Sequence, residues 1–313
     1  MLDEDKDNKK VTPERHYLKA ESLLAQTRGL LRRFDLRARK GLGQHFLIDE
    51  EVLRLIISAV ELTPADVVIE VGPGLGVLTR ELAKQAGRVI AIELDNKLAA
   101  ILRETMASSG NVTVINDNVL STNPAALLQE QGGEFLPQTG SPFRYKVVAN
   151  LPYYITSPIL RHFLEAEEKP ESMVIMVQKE VAEEITAKPG RMSLLSISVQ
   201  LYGEPTIISH VPARSFYPTP GVDSAIMRIV LYPQPAVEIA DGESFFALVR
   251  AGFSASRKQM ANSLAQGLGL SKAEVLALLE KAAIAPQRRA ETLTLEEWAH
   301  LWQIFARAGE STC

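Results

Sequence analysis

The chain has almost no cysteine: of its 313 residues only the last, Cys313, carries a thiol. A disulfide framework and a zinc site built from several thiolates are therefore excluded. No apolar run reaches the ~20 residues of a membrane span, and Met1–Asp7 lacks the basic start and apolar core of a signal peptide. These absences predict a soluble, cytoplasmic protein without a metal centre.

The chain has no overall excess of positive charge, since the formal net charge is −4, but basic residues are concentrated in two stretches. Between Arg28 and Lys40, six basic residues stand against one acid, Asp35. Either stretch could be an ordinary solvated helix face, but two of them flanking a larger domain favour contact with a nucleic-acid backbone. The second basic set comprises Arg250, Arg257, Lys258, Lys272, Lys281, Arg288 and Arg289.

The order of the apolar patterns predicts an α/β protein with a small all-helical C-terminal domain. We expect a charged N-terminal extension at residues 1–27, first disordered and then helical, an α/β domain at 28–232, and a helical domain at 233–313. Thr12 and Pro13 have the residue types of a helix start, and the apolar spacing after them predicts a helix as far as Phe34. Surface loops are expected at 41–47 and 132–142.

Short, mostly continuous apolar runs alternate with helical patterns in the α/β domain. The first four runs should form parallel strands buried on both faces of a doubly wound sheet. The predicted strands are Asp66–Val71, Arg88–Leu94, Val112–Asn116, Tyr145–Asn150, Met173–Gln178, Thr206–His210 and Val222–Leu231. In the C-terminal domain, helical patterns lie around Phe245–Ala265, Lys272–Ala283 and Leu295–Ala306.

A glycine-rich turn follows the first predicted strand, which carries Glu70. Gly72, Gly74 and Gly76 give the spacing G-x-G-x-G, one residue short of the dinucleotide fingerprint G-x-G-x-x-G. Glycines suit a backbone that turns sharply and approaches a ligand, and the helix start behind them favours electron-rich groups. The shorter spacing favours a nucleoside without a pyrophosphate.

Polar residues follow the next two strands at the same edge of the sheet. Glu93, with Leu94 beside it, can accept hydrogen bonds from both ribose hydroxyls, although it could instead be an acid at a helix start. Asp117 and Asn118 follow the third strand, where the Asp carboxylate can accept a hydrogen bond from an adenine amine. Together with the glycine turn, these residues predict bound S-adenosyl-L-methionine.

The run Asn150-Leu151-Pro152-Tyr153 ends the fourth strand, because the proline stops it and leaves the Asn amide at its edge. An amide followed by an aromatic ring can hold a planar exocyclic amine while the ring stacks on the heterocycle. This tetrapeptide is similar to the Asn-(Leu/Ile)-Pro-Tyr motif of methyltransferases that modify adenine N6. The alternative is a strand followed by an ordinary proline turn.

Taken together, the motifs resemble the KsgA-type ribosomal RNA adenine dimethyltransferases. They are, in family order and approximate spacing, Gly43–Leu47, Glu70–Gly76, Glu93, Asp117, Asn150–Tyr153 and Phe216–Ser224. The resemblance implies a Rossmann-like class I methyltransferase sheet with a seventh, antiparallel strand and a helical RNA-binding domain. It also implies that Gln44, His45 and Leu47 close over the methionine part of the cofactor. Many relatives have Asn at the position of His45.

The implied substrate is small-subunit rRNA in an immature 30S particle. Two adjacent adenines in the 3′-terminal hairpin of 16S rRNA would each be methylated twice by a monomeric enzyme during small-subunit biogenesis. The chemistry requires an unpaired or flipped adenine. Asn150 and the Leu151 carbonyl would accept the two N6 hydrogens, while Tyr153 and Phe216 would stack on the base. Phe216 could instead be a core residue at the start of a strand.

Three other functions are compatible with parts of the pattern. A dehydrogenase would need the dinucleotide glycine spacing, which is not met. A macrolide-resistance methyltransferase, acting on adenine in 23S rRNA, shares nearly every motif; the C-terminal segment and Leu151, where those enzymes often carry Ile, favour the small-subunit enzyme. A non-catalytic ribosome assembly factor could be built on the same fold, but it would not need intact cofactor and Asn-Leu-Pro-Tyr motifs.

Overall fold

The computed structural model describes residues 21–39, 43–133, 144–255 and 257–310. Its strands are β1 (Phe46–Leu47), β2 (Val67–Val71), β3 (Arg88–Glu93), β4 (Val112–Asn116), β5 (Tyr145–Asn150), β6 (Ser172–Gln178), β7 (Gly203–Val211), β8 (Phe216–Tyr217) and β9 (Ser224–Leu231). Its α-helices are α1 (Leu23–Arg33), α2 (Glu50–Val60), α3 (Val77–Ala83), α4 (Asn96–Thr105), α5 (Pro124–Gln131), α6 (Thr156–Leu164), α7 (Lys179–Ile185), α8 (Leu194–Gln200), α9 (Gly242–Phe253), α10 (Met260–Leu268), α11 (Lys272–Lys281) and α12 (Leu295–Glu310).

Seven strands form the central sheet in the order β4-β3-β2-β5-β6-β9-β7. Strands β2 to β6 are mutually parallel, whereas β9 is antiparallel to both of its neighbours, β6 and β7. Apolar clusters cover both faces of the sheet. This arrangement confirms the predicted class I methyltransferase sheet with one antiparallel strand.

Burial differs among the first four strands of this sheet. Strands β2, β3 and β5 are mostly buried, as a parallel sheet covered on both faces requires. Strand β4 is only partly buried because it lies at the edge of the sheet. The prediction that all four strands are buried on both faces is therefore wrong for β4.

The turn after β2 positions the rest of the site. Gly76 caps the start of α3 at φ 75°, and an added Cβ would lie 2.5 Å from Cδ1 of Leu102. A larger residue there would have both a strained backbone and a clash. Because β2, β3, β4 and β5 are parallel, the ends that carry Gly72, Glu93, Asn116 and Asn150 meet at one edge.

A second, two-stranded sheet pairs β1 with β8, with Phe46 opposite Tyr217 and Leu47 opposite Phe216. Residues 41–47 were predicted as a loop, and this is wrong for Phe46 and Leu47. Two residues are too few to show an alternating pattern, so periodicity could not reveal the pairing. The small sheet fastens the segment before α2 to the segment before β9.

The first described helix is shorter than predicted. Ser22 is its N-cap, accepting a hydrogen bond from the Ala25 N–H, and Glu21 and Ser22 are not helical. A helix running unbroken to Phe34 from a start near Thr12 is therefore wrong, while Thr12 itself lies outside the described residues. The disorder predicted near the N-terminus and most of the loop predicted at 132–142 also lie outside them.

The C-terminal helices pack around Trp298 and Trp302 in an apolar cluster that also includes Met192, Ile197 and Leu201 from the segment before β7. The helical pattern around Phe245–Ala265 corresponds to two helices, α9 and α10. They cross so closely that a Cβ on Gly267 would lie 2.5 Å from the Cα of Ala251. Within the described residues, no helix is long and apolar enough to cross a membrane.

Candidate active site at the carboxyl edge of the sheet

A cleft opens at the carboxyl ends of β2, β3, β4 and β5. It contains most of the residues that the sequence singled out, and it leaves out Gly76 and Phe216. The predicted residues that line it are Gln44, His45, Leu47, Glu70, Gly72, Gly74, Glu93, Leu94, Asp117, Asn118, Asn150, Leu151, Pro152 and Tyr153. Gly76 lies behind the cleft, where it starts α3.

Glu93 is held firmly at the end of β3. Its two carboxylate oxygens accept hydrogen bonds from the backbone N–H groups of Gly74, at 3.0 Å, and Asp95, at 2.8 Å. Burial raises the pKa of Glu93, and the backbone hydrogen bonds oppose that rise. Each oxygen keeps a second lone pair, so the carboxylate can still accept from a ligand.

Glu70 is buried at the base of the cleft and is only 1% exposed. Neither of its carboxylate oxygens has a hydrogen-bond partner among the described residues. Burial in these surroundings, which disfavours the charged form, raises the pKa of Glu70 to about 8. Thr79 and Arg80 oppose this rise only in part, so a buried acid that lines a cleft without a hydrogen-bond partner points to a bound ligand as its partner.

The residues after β3 and β4 form the outer side of the cleft. Leu94 is 52% exposed. Oδ1 of Asp117 accepts a hydrogen bond from the Asn118 N–H at 2.7 Å, and Oδ1 of Asn118 accepts one from the Leu120 N–H at 3.1 Å. The Asn118 side chain therefore caps the short turn that follows, which limits what it can offer a ligand.

Gln44 belongs to a network that fixes the segment before β1. Its Oε1 accepts a hydrogen bond from the Arg39 N–H at 2.9 Å, and its Nε2 donates to Oδ2 of Asp95 at 3.4 Å. Arg39 pairs with the same Asp95 oxygen at 3.2 Å. Asp95 also caps α4 through the Lys97 and Leu98 N–H groups, so the network joins the segment before β1 to the start of α4. Neither Arg39 nor Asp95 was predicted to support the site.

Asn150 ends β5, and its side-chain Nδ2 donates to the backbone carbonyl of His45 at 3.2 Å. Only the NH₂ end of the amide can make this bond, so the orientation of the side chain is fixed. No described residue donates a hydrogen bond to its Oδ1 or to the Leu151 carbonyl. Asn150 thus has an oxygen available as an acceptor.

Tyr153 lies beside Asn150 with its hydroxyl 2.9 Å from the Oγ of Ser224, the first residue of β9. Burial raises the pKa of Tyr153. The His45 ring is nearly parallel to the Tyr153 ring, with an interplanar angle of 18° and 6.2 Å between centroids. Ser224 and the neighbouring Tyr154, which is 58% exposed at the cleft, had no predicted role of their own.

Phe216, predicted to stack on the base, is 1% exposed and belongs to the apolar cluster beneath the sheet. Its pairing with Leu47 in the small sheet keeps it there. In this conformation Phe216 is a core residue at the start of a strand, which was the alternative interpretation. The structure does not bring Phe216 into the cleft.

A sequence model of the family described as "Ribosomal RNA adenine dimethylase" matches residues 35–307. The chain belongs to this family. Like other members, it is an S-adenosyl-L-methionine-dependent enzyme that dimethylates adenine in ribosomal RNA, as the sequence predicted.

Relatives named "Ribosomal RNA small subunit methyltransferase A" extend the likeness over most of the chain. One from Dehalococcoides mccartyi is 54% identical over 285 residues, covering 91% of this chain and 94% of its own. Another, from Pelotomaculum thermopropionicum, is 44% identical and covers 91% of this chain and 97% of its own.

Two solved structures are also similar. The 23S rRNA methyltransferase ErmE is 31% identical with a TM-score of 0.63, and the match covers 83% of this chain and 99% of ErmE. A dimethyladenosine transferase from Plasmodium falciparum is 24% identical with a TM-score of 0.69, covering 85% of this chain and 98% of its own. The second likeness bears on the fold alone.

Proposed function

We propose that the protein transfers methyl groups to N6 of two adjacent adenines in the 3′-terminal hairpin of 16S rRNA during small-subunit biogenesis. The observation that carries this proposal is the anchored amide of Asn150. The His45 carbonyl holds its NH₂ end, and its oxygen accepts no hydrogen bond from a described residue. An amide held in this way can accept a hydrogen from an exocyclic amine.

The cleft fits the proposed cofactor. Glu70, whose buried oxygens have no hydrogen-bond partner among the described residues, can give up its proton when S-adenosyl-L-methionine binds and then compensate the positive charge of that cofactor. Glu93 has spare acceptor capacity for ribose hydroxyls, and Gly74 faces the Phe46 ring so closely that a Cβ would lie 3.3 Å from it. Gln44, His45, Leu47, Gly72, Leu94, Asp117 and Asn118 complete the proposed cofactor site. When bound, the cofactor supplies an electrophilic methyl group on a sulfonium.

The chain's own residues would prepare the adenine. The N6 lone pair is delocalised into the ring, so the amine is a weak nucleophile until it becomes pyramidal. Asn150 Oδ1 and the Leu151 carbonyl can accept its two hydrogens and favour that geometry. Pro152 fixes the backbone between them and Tyr153, whose ring offers one stacking face. No strong base is required, because the proton can leave after attack.

The second stacking face, which Phe216 was predicted to supply, is not in the cleft. Phe216 could reach a base only if the small sheet of β1 and β8 changed its packing, because its ring is buried. The His45 ring is already nearly parallel to Tyr153. We therefore assign the stacking role to Tyr153 alone.

The C-terminal basic residues contribute to a surface where the two parts of the chain meet. The N–H groups of Gly190 and Met192 both donate to the Glu291 carbonyl, and the Met260 N–H donates to the Arg288 carbonyl. These bonds join three loops whose exposed cations we call the seam surface: Lys188, Arg191, Arg257 and Lys258. We assign this surface to the phosphate backbone of folded rRNA. Arg288 and Arg289 are excluded from it because their guanidinium groups pair with Glu297 and Glu291.

The relatives favour the small subunit over the large one. Proteins at 54% and 44% identity are named as small-subunit methyltransferases, whereas the 23S enzyme ErmE is 31% identical. A non-catalytic assembly role would not require the buried acid Glu70 or the Asn150 oxygen, neither of which has a hydrogen-bond partner for its oxygens among the described residues. We further propose a cytoplasmic monomer with a catalytic domain at residues 28–232 and an RNA-binding domain at 233–313.

The proposal can be tested by incubating the protein and labelled S-adenosyl-L-methionine with immature small subunits, free 16S rRNA and large subunits. Mass spectrometry of nuclease digests would then map the modified base. We expect N6,N6-dimethyladenine at two adjacent positions near the 3′ end of 16S rRNA, formed best on the immature particle. Methylation confined to 23S rRNA would support the resistance-enzyme alternative, and monomethyladenine as the sole product at saturating cofactor would contradict dimethylation.

A further inference from the structure

A second pocket lies beside the active-site cleft, between α1 and the segment that contains β8. Its wall is apolar and includes Leu31, Leu36 and the half-buried ring of Tyr217. Its rim carries three guanidinium groups, from Arg28, Arg32 and Arg37. The pocket therefore combines an apolar wall with concentrated positive charge at its rim.

The pocket is shaped by the way α1 ends. The Leu36 N–H donates to the Leu31 carbonyl at 2.8 Å and the Asp35 N–H donates to the Arg32 carbonyl at 3.3 Å, the bond pattern of a Schellman turn. Asp35 has a left-handed backbone with φ 46°, which reverses the chain. The reversal brings Arg37 to the same pocket as Arg28 and Arg32, which lie one turn apart on α1.

The arginines of this segment fall into two groups. Arg33 pairs with Glu104 and Arg39 with Asp95. Within the described part of the chain, the three pocket arginines form no ion pair with an acidic side chain, and Arg28 instead lies over the Tyr217 ring, 5.2 Å from its centroid. The pocket thus has three such guanidinium groups against the single carboxylate of Asp35.

The pocket and the cleft share a wall. Nδ1 of His45, which lines the cleft, donates to the carbonyl of Pro218, which lines the pocket, at 2.7 Å. A carbonyl only accepts, so Nδ1 carries the hydrogen. On the other side of His45 stands the Tyr153 ring. A strand of RNA with one base at Tyr153 would therefore have a neighbouring nucleotide close to Tyr217.

We propose that this pocket binds the nucleotide next to the target adenine. Its base stacks on Tyr217, and its phosphate is held by Arg32 and Arg37. Stacking on an aromatic ring tolerates any base, and arginine binds phosphate through two parallel hydrogen bonds. The pocket would thus keep the strand extended while the adenine enters the cleft. This inference rests on the proposed function, because it requires an RNA strand in the cleft.

The test is a double-mutant cycle between the protein and the RNA. Small-subunit particles are reconstituted with 16S rRNA that carries an abasic ribose at the nucleotide 5′ or 3′ to the target adenine. The apparent KM for each particle is measured for the wild type and Tyr217→Leu. Loss of one stacked base should raise KM roughly fivefold or more, and the abasic site and Tyr217→Leu together should raise it no more than either alone.

Controls separate stacking from folding. Tyr217→Phe keeps the ring and should keep the wild-type KM, and S-adenosyl-L-methionine affinity, measured by calorimetry, should be unchanged in each variant. Because Tyr217 pairs with Phe46 in the small sheet, its replacement could disturb that sheet, so a second set of variants changes surface residues only. Arg32→Gln with Arg37→Gln should raise KM, Arg33→Gln should not, and Asp35→Asn should lower it by removing the opposing charge.

The outcomes distinguish the two proposals. If the wild type fails to methylate the intact particle, the proposed function fails and this inference with it. If the intact particle is methylated but the effects of the abasic site and Tyr217→Leu multiply at both neighbours, the pocket does not bind the adjacent nucleotide. Equal KM values for the Arg32/Arg37 and Arg33 variants would overturn the phosphate assignment.

Discussion

Replacing Glu70 by glutamine should make the cofactor-free protein more stable at neutral pH. Burial raises the pKa of Glu70 to about 8 from an ordinary 4.5, so the folded protein holds a proton that the unfolded chain has lost. The free energy of unfolding therefore falls as the pH rises from about 4.5 to about 8 and is constant beyond. Glutamine is neutral at every pH in this range, so the free energy of unfolding of the variant lacks this fall with pH.

The size of the effect follows from the pKa values. At pH 7 the solution is about 2.5 units above the ordinary pKa of 4.5 and still below the native pKa of about 8. Each unit corresponds to about 1.4 kcal/mol, so keeping Glu70 protonated in the folded protein costs about 3 kcal/mol at this pH. We expect Glu70→Gln to recover most of that amount at pH 7 and little at pH 4.5.

Urea unfolding, monitored by far-ultraviolet circular dichroism at several pH values between 5 and 8, would measure this pH dependence. Tryptophan fluorescence is the wrong probe, because both tryptophans, Trp298 and Trp302, lie in α12. Glu51→Gln, at an exposed acid in the first turn of α2, is the matched control. The reasoning is refuted if the free energy of unfolding depends on pH as steeply in Glu70→Gln as in the wild type.

Four further outcomes are expected. Asn150→Ala should slow methyl transfer at least about 100-fold while calorimetry shows cofactor affinity within a few-fold; loss of cofactor binding would contradict its assigned role. Glu93→Ala should weaken cofactor binding by ~1–3 kcal/mol, since ribose hydroxyls lose a charged acceptor, and unchanged affinity would exclude the ribose assignment. Arg257→Glu with Lys258→Glu should weaken binding to the particle. The slope of the logarithm of the binding constant against the logarithm of salt concentration should fall by roughly 0.7–0.9 for each phosphate that the variant no longer binds. An unaltered slope would mean that these residues form an ordinary solvated surface. Gly267→Ala should destabilise the C-terminal helices by about 1–3 kcal/mol through overpacking, seen as a lower midpoint in tryptophan fluorescence, and an unchanged midpoint would show that α9 and α10 can separate without cost.

The large sheet and most of the cleft could be predicted because they depend on local signals. Each central strand is a run of apolar residues bounded by a turn, and parallel strands bring their carboxyl ends together whatever their order. Glu70, Glu93 and Asn150 each stand in or at the end of such a strand, so their meeting follows from the fold class. The antiparallel strand, by contrast, was expected only from the family resemblance.

Contacts between distant short segments could not be predicted. The burial of Phe216 depends on its pairing with Leu47, which is 169 residues earlier in the chain, and neither segment is long enough to show a period. The hydrogen bond from Asn150 to the His45 carbonyl likewise involves a backbone atom that no residue type reveals. Basic residues were visible in the sequence, but not which of them are neutralised by partners such as Glu104 and Glu297.

Strand β9 is the last strand among the described residues, yet it lies between β6 and β7 in the sheet. During synthesis, β7 therefore leaves the ribosome before the strand that links it to the rest of the sheet. At about 5–20 residues per second, the stretch from Pro212 to Leu231 takes on the order of 1–4 s to translate. Until then the nascent chain exposes unpaired edges on both β6 and β7, which are sites of aggregation. An enzyme that methylates ribosomal RNA thus has, while it is being made, two open sheet edges on its own nascent chain through that interval.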